Sequence, residues 1–118
     1  MYNKRTIGSE FEQKAIKYIT NQGYQAIDKN FRCRSGEIDI IAREGEYLVF
    51  IEVKYRTNTV KGLPQEAVDN RKIKKISKTA QYYMLTKGLP ADTPCRFDVV
   101  TILDDAITLI KNAFDAIL

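Results

Sequence analysis

Two apolar runs separated by a short polar turn constrain this chain more than any other feature. Residues 36–42 and 47–55 are apolar enough for strands in the interior of a sheet, and the four residues between them include a glycine. This pattern predicts a β-hairpin. Both runs nevertheless carry charged side chains where a buried strand should be apolar: Glu37, Asp39, Glu52 and Lys54.

The charged residues within each run are two positions apart, so alternation places Glu37 with Asp39 and Glu52 with Lys54. If the two faces match, three carboxylates and one ammonium group meet in a small space. Burying charge is costly unless it is paired or holds a metal ion, so we expect a divalent-metal site. Asp39 and Glu52 would be ligands, the carbonyl of Val53 would add an oxygen, and Lys54 would orient the attacking water.

The composition limits both the size and the chemistry of the protein. A chain of 118 residues that is 44% hydrophobic and 29% charged is expected to form one domain, residues 1–118. The net charge of +4 permits a nucleic-acid partner without requiring one. The chain has no histidine, which excludes histidine-based catalysis and histidine-ligated zinc.

The location of the protein is predicted from what its sequence lacks. Its cysteines, Cys33 and Cys95, are far apart and form no CxxC pair, so we expect reduced thiols. No apolar run approaches the ~20 residues of a membrane span. We therefore expect a cytoplasmic protein with no membrane partner.

Hydrophobic spacing predicts an α/β fold of the order α-β-β-β-α-β-β, with a mixed sheet of about five strands flanked by helices. The predicted elements are a helix over 7–22, an edge strand over 24–32 interrupted at 28–30, the two hairpin strands, a helix over 65–87, strands over 96–103 and 106–110, and a tail over 111–118.

Two features of the later elements bear on function. The second helix is expected to turn basic side chains away from its apolar face, either into solvent or toward nucleic acid: Arg71, Lys74, Lys75 and Lys78. Asp98 lies in an apolar strand, where we expect a structural role and no salt bridge with Arg96.

The spacing of Asp39 and Glu52-Val53-Lys54 resembles the core of the PD-(D/E)xK nuclease superfamily, although Ile38 stands where a proline often precedes the aspartate. The helical Glu10 matches a glutamate of archaeal Holliday-junction resolvases in that superfamily. The chain also resembles the YraN-like family of small bacterial proteins through ordered motifs: Gly8-x-Glu10, Gly36-Glu37-Ile38-Asp39, residues 50–56, residues 96–100 and residues 112–114.

The resemblance implies a restriction-endonuclease-like fold and a Mg²⁺- or Mn²⁺-dependent nuclease acting on DNA, with RNA not excluded. Asp39, Glu52 and Lys54 would be catalytic. Glu37 is either a third ligand or a turn residue, and Glu10 either assists the metal or is a solvated flank. Candidate nucleic-acid contacts are Arg32, Arg34, Arg43, Arg56, Gln65 and Lys72. The last two are expected near the inner face of the second helix, where they either face the site or make structural hydrogen bonds.

The alternative is a non-catalytic nucleic-acid-binding or adaptor protein that retains the nuclease fold. Either protein would work alone, as a homodimer or with a partner protein.

Overall fold

The computed structural model describes residues 4–56 and 69–118, and within them it contains the predicted order of elements. The elements are α1 (Lys4–Asn21), β1 (Gln25–Cys33), β2 (Gly36–Glu44), β3 (Tyr47–Arg56), α2 (Asn70–Thr86), β4 (Cys95–Leu103) and β5 (Ala106–Ile110). No helix in these two ranges is long and apolar enough to cross a membrane. Cys33 and Cys95 are free thiols.

The strands form one mixed sheet in the order β1-β2-β3-β4-β5. Only β3 and β4 are parallel among these neighbours, and a parallel pair requires a crossover connection, which here includes α2. The other neighbours pair antiparallel. The predicted α/β class, hairpin and edge position of β1 are thus confirmed.

The two helices cover opposite faces of the sheet, and strand alternation decides which side chains each covers. On one face, Ala15 and Ile19 of α1 cluster with Val49 and Ile51 of β3. On the other, Ile76, Ala80 and Tyr83 of α2 cluster with Leu48 and Phe50 of the same strand. Glu52 and Lys54 follow Phe50 in steps of two, so both belong to the face that α2 covers.

The alternation fails in β2 beside Asp39. Ile38 and Ile41 both pack in the cluster of α2, whereas Ile40 packs in the cluster of α1. Opposite this point Asn30 has a positive φ of 53°. The first strand, predicted over 24–32, is observed as β1, and it continues through the polar residues 28–30 with an irregular register between Ala26 and Asp28.

The prediction that the second helix begins at 65 is wrong. Asp69 has an extended backbone and its side chain accepts the Lys72 N–H at 2.9 Å, which makes Asp69 the N-cap of a helix that begins at Asn70. Gln65 and Val68 lie outside the described residues. The polar residue Asp69 therefore sets the start of α2, and Lys72 lies in its first turn.

The expectation of no salt bridge between Arg96 and Asp98 is wrong as well. Residues two apart on a strand share a face, and Arg96 Nε lies 2.9 Å from Asp98 Oδ1. The fully buried Asp98 also accepts hydrogen bonds from the Tyr24 hydroxyl at 2.6 Å and the Asn112 N–H at 2.9 Å. Arg96 Nη2 in turn lies 2.6 Å from Glu44. Asp98 thus has a structural role, as predicted.

The tail after β5 packs on the side of the sheet that α2 covers. The ring of Phe114 stacks on Phe97 with their centroids 5.1 Å apart, and the Ile117 N–H donates to Ser77 Oγ at 3.0 Å.

Candidate metal centre

The candidate site lies where β2 and β3 separate. Their antiparallel pairing runs from Glu44 and Tyr47 to Ile40 and Ile51, and ends there. At the next position Asp39 Oδ2 accepts the Val53 N–H at 2.8 Å, so a side chain takes a strand N–H beyond the end of the pairing. This bond fixes the carboxylate of Asp39 between the two strands.

A cavity of about 360 Å³ opens at this separation. It is lined by Gly36, Glu37, Asp39, Glu52, Val53, Lys54, Lys72, Lys75 and Ile76. The structure therefore brings together the four charged residues of the predicted hairpin, Glu37, Asp39, Glu52 and Lys54. Two lysines of α2, Lys72 and Lys75, also line the cavity; Lys75 is exposed, as its position away from the apolar face of the helix predicted.

Glu52 is the most unusual side chain of the cavity. It is 6% exposed, and its Oε1 is buried without a hydrogen-bond partner among the described residues. Its other oxygen lies 3.6 Å from Lys72 Nζ. Burial, and then the charge of Asp39, raise the pKa of Glu52 to about 7. A cation would stabilise a buried carboxylate that has one oxygen without a hydrogen-bond partner.

Asp39 is held in a strongly acidic environment. Burial raises the pKa of its carboxyl group to about 6; the Val53 N–H opposes this rise, and the charges of Glu12 and Glu37 add to it. Carboxylate oxygens of Glu12, Glu37 and Asp39 lie within 4.8 Å of one another. Three carboxylates this close repel one another unless they share a cation or a proton.

Glu12, and not the Glu10 expected from the sequence, is the α1 glutamate that lies beside the acidic residues of the site. The structure leaves Glu10 exposed, whereas Glu12 is half-buried and belongs to the acidic group. The two side chains point about 200° apart around a helix. Helical spacing could have identified Glu12. It precedes the buried Ala15 by three residues and the buried Ile19 by seven, which places it on the inward-facing stripe of α1.

Lys54 lies half-buried on the same strand face as Glu52. Burial lowers the pKa of its ammonium group to about 8, and the neighbouring Lys72 lowers it further, against the opposing charges of Glu52 and Asp39. Two lysines thus face the acidic residues from different elements, one from β3 and one from α2.

The predicted arginine contacts divide between the two ends of the hairpin. Arg34 and Arg56 are exposed at the end that carries the cavity, and Arg32 lies there with its Nε 3.3 Å from Glu37. Arg43 pairs with Leu48 near the turn, roughly 13 Å along the strand from Asp39. The structure therefore does not bring Arg43 to the cavity.

The side chains present fit a hard divalent cation. Carboxylate oxygens are the ligands that Mg²⁺ and Mn²⁺ prefer, and Glu52, which has an unpartnered oxygen among the described residues, lines the same cavity as Asp39. Glu12, Glu37 and Asp39 form a possible acidic metal-binding group. Val53 lines the cavity as well, and its N–H is already used by Asp39.

Comparison with known proteins places this chain in a family. The family described as "Uncharacterised protein family UPF0102" matches residues 11–102. A UPF0102 protein of Lachnoclostridium phytofermentans is 57% identical over 114 residues, which is 97% of each chain. One from Persephonella marina is 44% identical over 92% of each chain, and one from Clostridium botulinum strain Kyoto is 45% identical over 96% of this chain and 97% of its own. The chain belongs to the UPF0102 family.

Proposed function

We propose that this protein is a Mg²⁺- or Mn²⁺-dependent nuclease that hydrolyses phosphodiester bonds in DNA. The observation that carries the proposal is the buried Glu52, which has one oxygen without a hydrogen-bond partner among the described residues and which lines the same cavity as Asp39 and Lys54. A charge in this position lowers the stability of the fold unless it serves a ligand. The resemblance of Asp39 and Glu52-Val53-Lys54 to the PD-(D/E)xK core supports a nuclease as the protein that uses it.

Each acidic side chain has a distinct part in this proposal. Asp39 and Glu52 would hold the cation, with Glu12 and Glu37 beside Asp39. A bound divalent ion would supply positive charge next to the scissile phosphate and lower the pKa of its water. The Val53 N–H keeps the Asp39 carboxylate in one orientation, so the ligand is positioned before the cation arrives.

The lysines would provide the remaining chemistry. Lys54 extends from the same face as Glu52 and can donate hydrogen bonds to the attacking water or to the oxygens of the phosphorus centre. Lys72 and Lys75 line the α2 side of the cavity, where they would face substrate phosphates. The chain has no histidine, so the proton transfers fall to lysine, carboxylates and metal-bound water.

DNA is the proposed substrate because the charge outside the cavity is basic. Arg34 and Arg56 are exposed at the cavity end of the sheet, and the chain carries a net charge of +4. Arginine side chains are common phosphate contacts that position a duplex without reading its sequence. The likeness to Holliday-junction resolvases favours branched substrates within this class.

A cleavage screen tests the proposal. Branched, nicked, double-stranded and single-stranded DNA, with RNA for comparison, are incubated with Mg²⁺ or Mn²⁺ and the wild type, Asp39→Asn or Glu52→Gln. We expect the wild type to cut at least one DNA and both variants to lose cutting. Asp105→Asn, at an exposed turn between β4 and β5, should cut normally.

Two results would count against the proposal. Cleavage by Glu52→Gln at the wild-type rate would remove the reaction from this cavity. Binding of nucleic acid without cleavage of any substrate would favour the non-catalytic binding or adaptor protein.

A further inference from the structure

The position of Lys72 suggests a role beyond phosphate contact. Its backbone is fixed in the first turn of α2, because its N–H donates to the N-cap Asp69 at 2.9 Å. Its side chain is long, unbranched and 38% exposed, and it ends 3.6 Å from Glu52 Oε2. Because the backbone of Lys72 is fixed and its side chain is flexible, the ammonium group can move between the cavity and solvent.

The contact between Lys72 and Glu52 is electrostatic but loose. Charge-assisted hydrogen bonds between nitrogen and oxygen are about 2.7–2.9 Å long, shorter than the 3.6 Å seen here. The charge of Lys72 nevertheless reaches both candidate ligands, because it opposes the rise in the pKa of Asp39 and of Glu52. Lys72 thus supplies positive charge to the carboxylates that the proposed cation would use.

An ammonium group and a divalent cation at the same carboxylates repel each other. Lys54 already contributes a second ammonium group to the cavity, so the total positive charge would be high once a cation entered. Of the two lysines, Lys72 is the one with an ion pair to Glu52 among the described residues. Its partial exposure gives it a path outward.

We infer that Lys72 is an internal counterion of the metal-free site, which the divalent cation displaces from Glu52 and which then binds a phosphate of the substrate. This inference rests on the proposed metal site. It makes Lys72 a competitor of the cation and, after displacement, a contact for the nucleic acid. Removing the charge of Lys72 should therefore strengthen the binding of the cation and weaken the binding of the nucleic acid.

Lys72→Met removes the charge and keeps an unbranched apolar stem. We expect this variant to bind Mn²⁺ about 3- to 10-fold more tightly than the wild type, because the cation no longer competes with a partly exposed ammonium group. Calorimetry at about pH 8 measures this affinity. Lys78→Met, which changes an exposed lysine of α2 that does not line this cavity, is the matched control and should change the affinity by less than about twofold.

The second readout is DNA binding with and without a cation. Ca²⁺ serves as the probe ion in place of Mn²⁺, with EDTA as the metal-free condition. Lys72→Met should weaken binding more in Ca²⁺ than in EDTA, and in Ca²⁺ it should reduce the slope of log affinity against log salt by about 1. A lysine that only stabilised the fold would give the same change in both conditions.

The outcomes separate this inference from the proposed function. A folded Lys72→Met, or Lys72→Gln if the first variant fails to fold, that binds Mn²⁺ no more tightly than the wild type overturns the inference while cleavage by the wild type still stands. Tighter Mn²⁺ binding without cleavage of any substrate supports the inference and contradicts the nuclease. A wild type that binds no Mn²⁺ overturns both.

Discussion

At the scale of single residues, the site concentrates charge that water would otherwise solvate. Asp39 and Glu52 have pKa values of about 6 and about 7, both raised chiefly by burial. An acid whose pKa is raised by folding stabilises the protein below its ordinary pKa, and this contribution disappears as the pH rises through the folded value. In the metal-free protein these two groups should therefore make the fold less stable at neutral pH than in mild acid.

This pH dependence can be measured against a variant that cannot titrate. The free energy of unfolding of the wild type, minus that of Asp39→Asn/Glu52→Gln, should fall by a few kcal/mol between about pH 4.5 and pH 7.5 in EDTA. Added Mn²⁺ should restore stability to the wild type at the upper pH and leave the variant unchanged. A difference that is flat with pH would contradict the assigned burial.

Glu12 and Glu10 provide a second prediction at this scale. Glu12→Gln removes one of three carboxylates that lie within 4.8 Å of one another, so it should weaken Mn²⁺ binding about 10-fold. Glu10→Gln changes an exposed side chain on another face of α1 and should leave the affinity within about twofold. Calorimetry on both variants decides between them, and a larger loss in Glu10→Gln would favour the sequence-based choice.

The residues of the site could be predicted where strand alternation applies and not where it fails. Glu37, Asp39, Glu52 and Lys54 line one cavity. The spacing of two relates Glu52 to Lys54, whereas Asp39 lies where the alternation of β2 fails and the strands separate. The surroundings of these residues include Lys72 and Glu12, whose positions depend on how each helix is rotated against the sheet. Packing against both faces of the sheet sets that rotation. It depends on residues far apart in the sequence, so the sequence of one helix does not reveal it.

At the scale of elements, the site depends on the separation of β2 and β3. The start of α2 was harder to predict than the strands. Several polar residues precede the helix and could cap it, and the structure shows that Asp69 is the N-cap. Short connections predicted the hairpin of β2 and β3 and the return of β5 after β4, whereas the parallel pairing of β3 with β4 was not predicted. Asp98 of β4 forms a network with Tyr24, Arg96 and Asn112 that connects β4 to the residues around it.

Asp98→Asn tests that network. The substitution removes one of the two carboxylates that pair with the largely buried Arg96 guanidinium and leaves Glu44 as the other, which should cost about 1–3 kcal/mol in the free energy of unfolding. Chemical denaturation measures this change. Because Asp98 lies on the sheet face opposite Glu52, the folded variant should retain its Mn²⁺ affinity. A loss below about 1 kcal/mol would mean that the ion pair contributes little.

At the scale of the whole molecule, exposed arginine side chains lie at the end of the sheet that carries the cavity. Arg34 and Arg56 flank the cavity end, whereas Arg43 lies near the hairpin turn. Composition alone predicted a mildly basic protein, and only the fold shows which of its arginines lie near the carboxylates. A nucleic acid that reaches the cavity should therefore contact the first two and not the third.

Salt dependence measures that difference. For binding of DNA in Ca²⁺, Arg34→Ala/Arg56→Ala should reduce the slope of log affinity against log salt by about 2, because each phosphate contact releases a counterion. Arg43→Ala should leave the slope nearly unchanged. An equal effect of Arg43→Ala would place the nucleic acid along the whole hairpin, away from the proposed orientation.

The most direct test of the account is the single-turnover cleavage rate of Lys54→Met on a DNA that the wild type cuts. Lys54 shares a strand face with Glu52 and lines the same cavity, so removing its ammonium group should lower the rate by about 10²–10³-fold. The variant should still fold, bind Mn²⁺ and bind DNA, and Lys78→Met, an exposed lysine of α2, should cut at the wild-type rate. Full activity of Lys54→Met would contradict catalysis by this cavity.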